Sequence, residues 1–184
     1  GEIDGINVTV PFKSKVIPYL DKLSQEAEAT QSINTIYVNN NKIVGHNTDI
    51  YGFEKAIKSI DFNMKGKKVL ILGAGGVVSS IIFALKKMEV SKIIISNRTM
   101  KKAEGLKTLF NYLNIVEWGI LPDLDVIINA TSLGLKNETI NIDFSKIGKN
   151  KLFYDVIYNP SETSFLKEGK KFGNLSENGR LMFL

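Results

Sequence analysis

The chain has 184 residues, 43% hydrophobic and 23% charged, a balance that fits a globular protein with a substantial core and excludes a disordered or collagen-like chain. With no cysteine and a single histidine, His46, it cannot build disulfides, thiolate zinc sites, iron–sulfur clusters, thiol catalysis or a multi-histidine metal site, and no metal is expected. Its net charge of +5 comes from scattered lysines, Arg98 and Arg180 being the only arginines, so the expected partners are a small anionic substrate and a phosphorylated cofactor, not nucleic acid.

Asn7-Val8-Thr9-Val10-Pro11 reads as a short strand stopped by proline. Apolar positions Val16, Ile17, Leu20, Leu23 and Ala27 recur at three and four residues and predict a helix over about 14–29. Residues 33–38 and 42–45 flank Asn39-Asn40-Asn41 and predict a hairpin. Thr48-Asp49 is expected to cap a helix over about 50–60. A polar connector, 61–65, then changes the rhythm to strand (67–72), glycine turn (73–76), helix (77–88), strand (92–96), helix (100–113), strand (125–129), strand (152–157) and a short helix (163–172) weakened by Gly169. Continuous apolar strands alternating with helices predict an α/β protein whose parallel sheet is covered on both faces. Val69 to Leu85 carries no charge, but Gly73, Gly75, Gly76, Ser79 and Ser80 interrupt it, so it reads as strand, turn and helix rather than a membrane span. No signal peptide is visible, and the expected compartment is the cytoplasm. The chain starts at Gly1 without Met and ends Leu-Met-Phe-Leu; both ends read as cuts in a longer protein.

Gly73-Ala74-Gly75-Gly76 lies between a buried-type strand and an apolar helix. There, glycines permit the tight turn and let backbone approach a pyrophosphate, while the helix start supplies free N–H groups. Val78 stands where a small residue usually allows close helix–strand packing, and is expected to push the helix outward. An NAD site carries an acid after the second strand for the ribose 2′-hydroxyl. This chain has Asn97-Arg98-Thr99 instead. A guanidinium matches a phosphate in bidentate fashion, Lys102 can share its face and Thr99 can cap the helix, so the expected cofactor is NADP.

Asn7 to Lys13, Ser32-Ile33-Asn34-Thr35, Gly45-His46-Asn47-Thr48-Asp49-Ile50-Tyr51-Gly52, the glycine turn, Asn97-Arg98-Thr99, Asn129 to Gly134 and Tyr154 to Pro160 together resemble, in order, the signatures of the shikimate dehydrogenase family over essentially the whole chain. The resemblance implies a Rossmann-like NADP-binding domain and a partial α/β substrate domain. It also implies the NADPH-dependent reduction of 3-dehydroshikimate to shikimate in aromatic amino acid and chorismate biosynthesis, by a monomer or homodimer. Residues 1–60 would be the C-terminal part of the substrate domain, 61–160 the NADP domain and 161–184 the start of the return to the substrate domain. By the same resemblance Lys13 and Asp49 are catalytic. Thr9, Asn34, Asp49 and Tyr158 hold substrate. Gly73, Ala74, Gly75, Gly76, Val77, Asn97, Arg98, Thr99, Lys102, Val156 and Gly179 contact the cofactor.

A ketone that accepts hydride builds negative charge on oxygen, which a lysine ammonium stabilises and protonates. A neighbouring carboxylate orients the lysine and favours its charged form, so Lys13 is expected as orienter and proton donor first and as base second. Asp49 is expected to cap its helix as well. His46 is read as non-catalytic, and Trp118 as packing. Family members also have an earlier segment with a Ser-x-Ser turn for the substrate carboxylate and a closing helix after the Gly179 motif, with a glutamine two positions beyond Leu184. Arg180 and Leu181 differ from the small and apolar residues expected, and Ser79 stands where a basic residue is common. The chain is therefore expected to have a well-supported nucleotide half and a thinly supported substrate half. Two alternatives remain at this level: a truncated, non-catalytic NADP-binding module, and a dehydrogenase whose substrate is quinate or an aminated analogue.

Overall fold

A computed structural model describes residues 3–183, so Gly1, Glu2 and Leu184 lie outside the described residues. The elements are β1 (Gly5–Asn7), β2 (Lys22–Leu23), α1 (Gln25–Thr30), β3 (Thr35–Asn39), β4 (Lys42–His46), α2 (Asp49–Ser59), β5 (Lys68–Leu72), α3 (Val78–Lys87), β6 (Lys92–Ser96), α4 (Met100–Leu109), β7 (Asn114–Val116), β8 (Val126–Asn129), β9 (Leu152–Asp155), α5 (Ser164–Lys171) and β10 (Leu175–Asn178), followed by a 3-10 turn, Gly179–Phe183. They form a four-stranded sheet in the order β1-β3-β4-β2 and a six-stranded one in the order β10-β9-β8-β5-β6-β7.

Every pairing in the larger sheet is parallel. Its central strands are apolar at successive positions because both faces are buried. Val69, Ile71, Ile93, Ile95, Val126 and Ile128 point to one core with Ile50, Phe53 and Ile57 of α2 and Ile81, Ile82 and Leu85 of α3. Leu70, Leu72, Ile94, Ile127 and Phe153 point to the opposite core with Phe144 and with Phe165 and Leu166 of α5. Fully burying each such side chain contributes about 1.5–3 kcal/mol, so this sheet is the rigid base on which the site is built.

The smaller sheet is thinner. Val8, Ala27, Ile33 and Ile36 make its buried cluster, while Ile6, Val38 and Ile43 are exposed. Its β3–β4 hairpin turns through Asn40 and Asn41, whose φ angles of 50° and 57° suit a tight two-residue turn.

Several expected boundaries move. The helix expected over 14–29 is instead a 3-10 turn at Ile17–Tyr19, the strand β2 and the short helix α1. Pro18 lies inside the expected helix and lacks an N–H. Lys22-Leu23 pairs with Val44-Gly45, and Ser24 restarts the helix by accepting from the Ala27 N–H at 3.2 Å. The first strand lies at Gly5–Asn7, ahead of Thr9-Val10. The helix α4 ends at Leu109 rather than Leu113, and β7 and β10, both short and part polar, complete the sheet edges. Val78 is fully enclosed in the core rather than displacing α3, and its N–H donates to the Gly75 carbonyl at 3.0 Å. Gly169 lets α5 approach the sheet: a methyl there would sit 2.7 Å from Phe153 Cγ and 2.6 Å from Ser176 Oγ.

The helix α2 joins the two parts. It follows directly from β4 of the small sheet, yet its buried face packs in the core of the large one. Gly52 allows this, because a methyl at Gly52 would overlap the Met182 carbonyl oxygen of the final 3-10 turn. Gly52→Ala is therefore expected to destabilise the fold by about 1–3 kcal/mol, read as a fall in Tm of roughly 3–10 °C in thermal unfolding.

Candidate active site

The strand β5 ends where the chain must turn sharply into α3. Gly73 adopts φ 109°, and a methyl there would lie 2.7 Å from the Ala130 carbonyl oxygen, so both backbone conformation and space demand glycine. The turn opens onto a cavity of about 750 Å³ at the C-terminal ends of the large sheet, with Gly73, Ala74, Gly75, Gly76 and Val77 along one wall. Among the described residues the Gly75 and Gly76 N–H groups donate to no protein acceptor. A methyl on Gly75 would meet only the Ala130 oxygen, at 3.9 Å. Free N–H groups, open backbone and a helix N-terminus together suit a pyrophosphate.

Asn97, Arg98, Lys102 and Trp118 line the cavity beyond β6 and β7. Among the described residues neither Arg98 nor Lys102 forms an ion pair. Two free cations facing one cavity suit a further phosphate, so the residues present fit NADP. Thr99 holds the N-cap position of α4, but its hydroxyl makes no cap bond; its carbonyl accepts from Asn97 Nδ2 at 2.8 Å.

The opposite wall comes from Ala130 to Leu133 and from Val156, Ile157 and Tyr158. Asn129 holds the first of these loops, donating to the Leu133 carbonyl at 3.1 Å and accepting from the Thr131 N–H and hydroxyl. Asn129 also donates to Asp155 at 3.0 Å. Burial pushes the Asp155 carboxyl above the usual carboxylate range, against the opposing pull of hydrogen bonds from Thr163, Ile157 and Asn129. Tyr158 is half-exposed and packs against Phe183, the rings tilted by 48° with centroids 5.1 Å apart. Gly179 packs on Val156, where a methyl would overlap the Val156 carbonyl.

Lys13 and Asp49 meet across the junction of the two parts. Lys13 follows a turn in which the Phe12 N–H donates to the Thr9 carbonyl, and its own carbonyl accepts from the Ile33 N–H at 2.8 Å. Thr9 itself is exposed in that turn. Lys13 Nζ donates to Asp49 Oδ2 at 2.6 Å, with the side chains 13% and 5% exposed. Asn34 Nδ2 donates to Asp49 Oδ1 at 2.9 Å and to Thr48 Oγ1 at 2.8 Å. Asp49 opens α2, where the helix macrodipole favours a negative charge. It is the first helical residue rather than the cap: Thr48 holds the N-cap position without a side-chain cap bond, and Asn47 Oδ1 accepts from the Asp49 N–H at 3.0 Å.

The pair lies against the cradle. A methyl on Gly76 would come 3.7 Å from Lys13 Cδ and 3.5 Å from Val10 Cγ2, and Ser32 Oγ donates to the Gly76 carbonyl at 3.1 Å. Asn47, 2% exposed, directs Nδ2 to the Ser32 carbonyl and Ser80 Oγ, both at 2.9 Å, and to Thr30 Oγ1 at 3.1 Å. Thus Lys13, Asn34 and Asp49 form one cluster, and the glycine turn, Asn97, Arg98, Lys102, Val156 and Tyr158 line one cavity beside it. Thr9, Thr99 and Gly179 lie next to these groups without lining the cavity.

Sequence reasoning missed Asn47, Ser32 and Ser80. The available signals were an Asn two residues ahead of the first helical residue and a polar pair, Ser79-Ser80, inside an apolar helix. Val10 was also missed, and Trp118, expected only to pack, lines the cavity as well. His46 contributes its backbone carbonyl to Asn34 N–H at 3.1 Å.

Comparison with known proteins follows the same outline. The family of shikimate dehydrogenase substrate binding domains matches residues 1–36, and the shikimate / quinate 5-dehydrogenase family matches residues 54–156. A shikimate dehydrogenase (NADP(+)) of Pelagibacter ubique is 58% identical over 184 residues, covering 100% of this chain and 69% of the relative. The solved shikimate 5-dehydrogenase of Thermus thermophilus, in complex with NADP(H) and shikimate, superposes with a TM-score of 0.88 at 30% identity, covering 98% of this chain and 69% of the other. A quinate dehydrogenase of Corynebacterium glutamicum, in complex with NAD, superposes with a TM-score of 0.90 at 29% identity, covering 98% and 68%.

The free Arg98 guanidinium yields a direct expectation. Because hydrogen bonds to charged groups contribute about 1.5–3 kcal/mol, Arg98→Ala is expected to weaken NADP binding roughly 10- to 100-fold in calorimetry while leaving NAD binding unchanged; loss of neither affinity would contradict the phosphate reading.

Proposed function

Because the chain belongs to the shikimate dehydrogenase family, we propose that Lys13 and Asp49 carry the family's reaction here: the NADP-dependent, reversible reduction of 3-dehydroshikimate to shikimate, a step of aromatic amino acid and chorismate biosynthesis. The observation that supports this most is the 2.6 Å Lys13–Asp49 contact set against Gly76 of the phosphate cradle. Residues 1–60 then serve as the C-terminal part of the substrate domain, 61–160 as the NADP domain and 161–184 as the beginning of the return. No helix among the described residues is long and apolar enough to cross a membrane; a cytoplasmic monomer or homodimer acting on a small polyol acid is our reading.

When bound in the cavity, NADPH supplies the hydride. The Lys13 ammonium stabilises the charge that develops on the ketone oxygen and gives it a proton. Asp49 fixes the direction of Nζ by taking one of its hydrogens, and Asn34 holds the second carboxylate oxygen so that Asp49 cannot rotate away. Thr9, Asn34 and Tyr158 read the polyol through neutral hydrogen bonds. In the oxidative direction Lys13, relieved of its proton, accepts one from the ring hydroxyl. The glycine turn, with Val77, and Asn97, Arg98, Thr99 and Lys102 hold the diphosphate and 2′-phosphate ends, while Val156 and Gly179 flank the nicotinamide.

The likeness to a quinate dehydrogenase supports quinate as a second substrate, which a side-by-side assay of the two acids decides. Lys13→Ala is expected to cut kcat for 3-dehydroshikimate reduction by about 10²–10⁴-fold with NADPH affinity retained, followed by absorbance at the NADPH band. Retained turnover in that variant would refute the role of Lys13, and NADPH binding without turnover in the unaltered chain would instead favour the non-catalytic module.

A further inference from the structure

We propose that Trp118 is the adenine platform of the cofactor site: its ring stacks on the purine of the 2′-phosphoadenosine half. The inference rests on the NADP reading above and deepens it.

The two ends of the cavity differ in chemistry. The free cations Arg98 and Lys102 stand beyond β6, whereas Val10, Val156 and Tyr158 stand toward Lys13 and Asp49. A 2′-phosphate hangs on the adenosine ribose, so a phosphate held by Arg98 places the purine at the β6–β7 end and the nicotinamide at the Lys13 end. A purine has two large apolar faces, and leaving them in water forfeits the stacking that binds it. At that end the cavity wall offers one aromatic side chain, Trp118; the other aromatic in the wall, Tyr158, belongs to the opposite end.

Trp118 is also held in place. It packs against the core formed by Leu70, Leu72 and Ile94 while still lining the cavity. The Ser96 hydroxyl donates to the Glu117 carbonyl at 3.1 Å, tying the residue before Trp118 to the end of β6. An aromatic anchored on one side and open on the other loses little freedom on binding a ring. The guanidinium of Arg98 is itself planar and able to stack on a ring.

The chain contains a single tryptophan, so its emission reports this position alone. Titrating the 184-residue chain with 2′,5′-ADP, which carries the adenine and the 2′-phosphate without the nicotinamide, is expected to quench that emission. Nicotinamide mononucleotide is expected to leave it unchanged. In calorimetry, Trp118→Ala is expected to weaken 2′,5′-ADP by about 10-fold, the loss typical of one base–aromatic stack. Trp118→Phe, which keeps an aromatic face and the core packing, should recover most of that loss. Equal affinity of the unaltered chain and Trp118→Ala for 2′,5′-ADP, or saturation without any change in emission, would overturn the stacking role while leaving the cofactor site standing. Failure of the unaltered chain to bind 2′,5′-ADP at all would overturn the cofactor reading together with it.

Discussion

An ammonium and a carboxylate held together out of water are the constraint to which the rest of the molecule answers. Withdrawing each charge from solvent costs several kcal/mol, and the cost is offset only when geometry is good and the remaining lone pairs are satisfied. The Asp49 carboxylate meets both conditions: a 2.6 Å contact with Lys13 on one oxygen and an Asn34 amide on the other. The start of α2 adds a favourable dipole. Removing either partner strands the other charge in a nearly buried place, a loss of about 3–5 kcal/mol. The pair is therefore a poor choice as a stabilising device and a good one for delivering a proton in a fixed direction.

Its placement explains the polar seam between the two sheets. Ser32 contacts the Gly76 carbonyl of the cradle, and its own carbonyl accepts from Asn47, whose Oδ1 in turn fixes the Asp49 N–H. Asn47 also reaches Ser80 in α3, the helix that the cradle opens. One short chain of hydrogen bonds thus sets both the glycine turn and the Asp49 carboxylate. Buried polar groups of this kind are costly unless every member is paired, so the network specifies one relative position of cradle and pair. The helix α2 adds the apolar half of the same junction, starting at the small sheet and burying Phe53 and Ile57 in the large one.

Much of this was legible in the residues. The central strands of the large sheet announced themselves as apolar runs, and β6 falls at the expected residues because nothing else competes for a run of three isoleucines between Lys92 and Ser96. The glycine turn was legible because Gly73 answers to a backbone requirement visible in sequence. The segment 14–29 departs from the single helix its spacing predicts because that three-and-four spacing arises from Val16, Ile17, Leu20 and Leu23 covering a small sheet from turns and a strand rather than from one helix face. The strands β7 and β10 escaped because edge strands need few apolar residues. Asn47, Ser32 and Ser80 escaped for a different reason: each is an ordinary polar residue until tertiary structure buries it beside the others. Trp118 was legible as apolar, but which of its sides meets the core is decided only by the packing of β7 next to β6.

The central claim is that Lys13 and Asp49 act as one unit, and a double-mutant cycle on kcat tests it most directly. Lys13→Gln, Asp49→Asn and the combined variant are compared with the unaltered chain, using NADPH and 3-dehydroshikimate. Residues that act as a unit lose their effect together, so the account predicts a combined variant no slower than the slower single one. Losses that simply multiply would show two independent groups and contradict it.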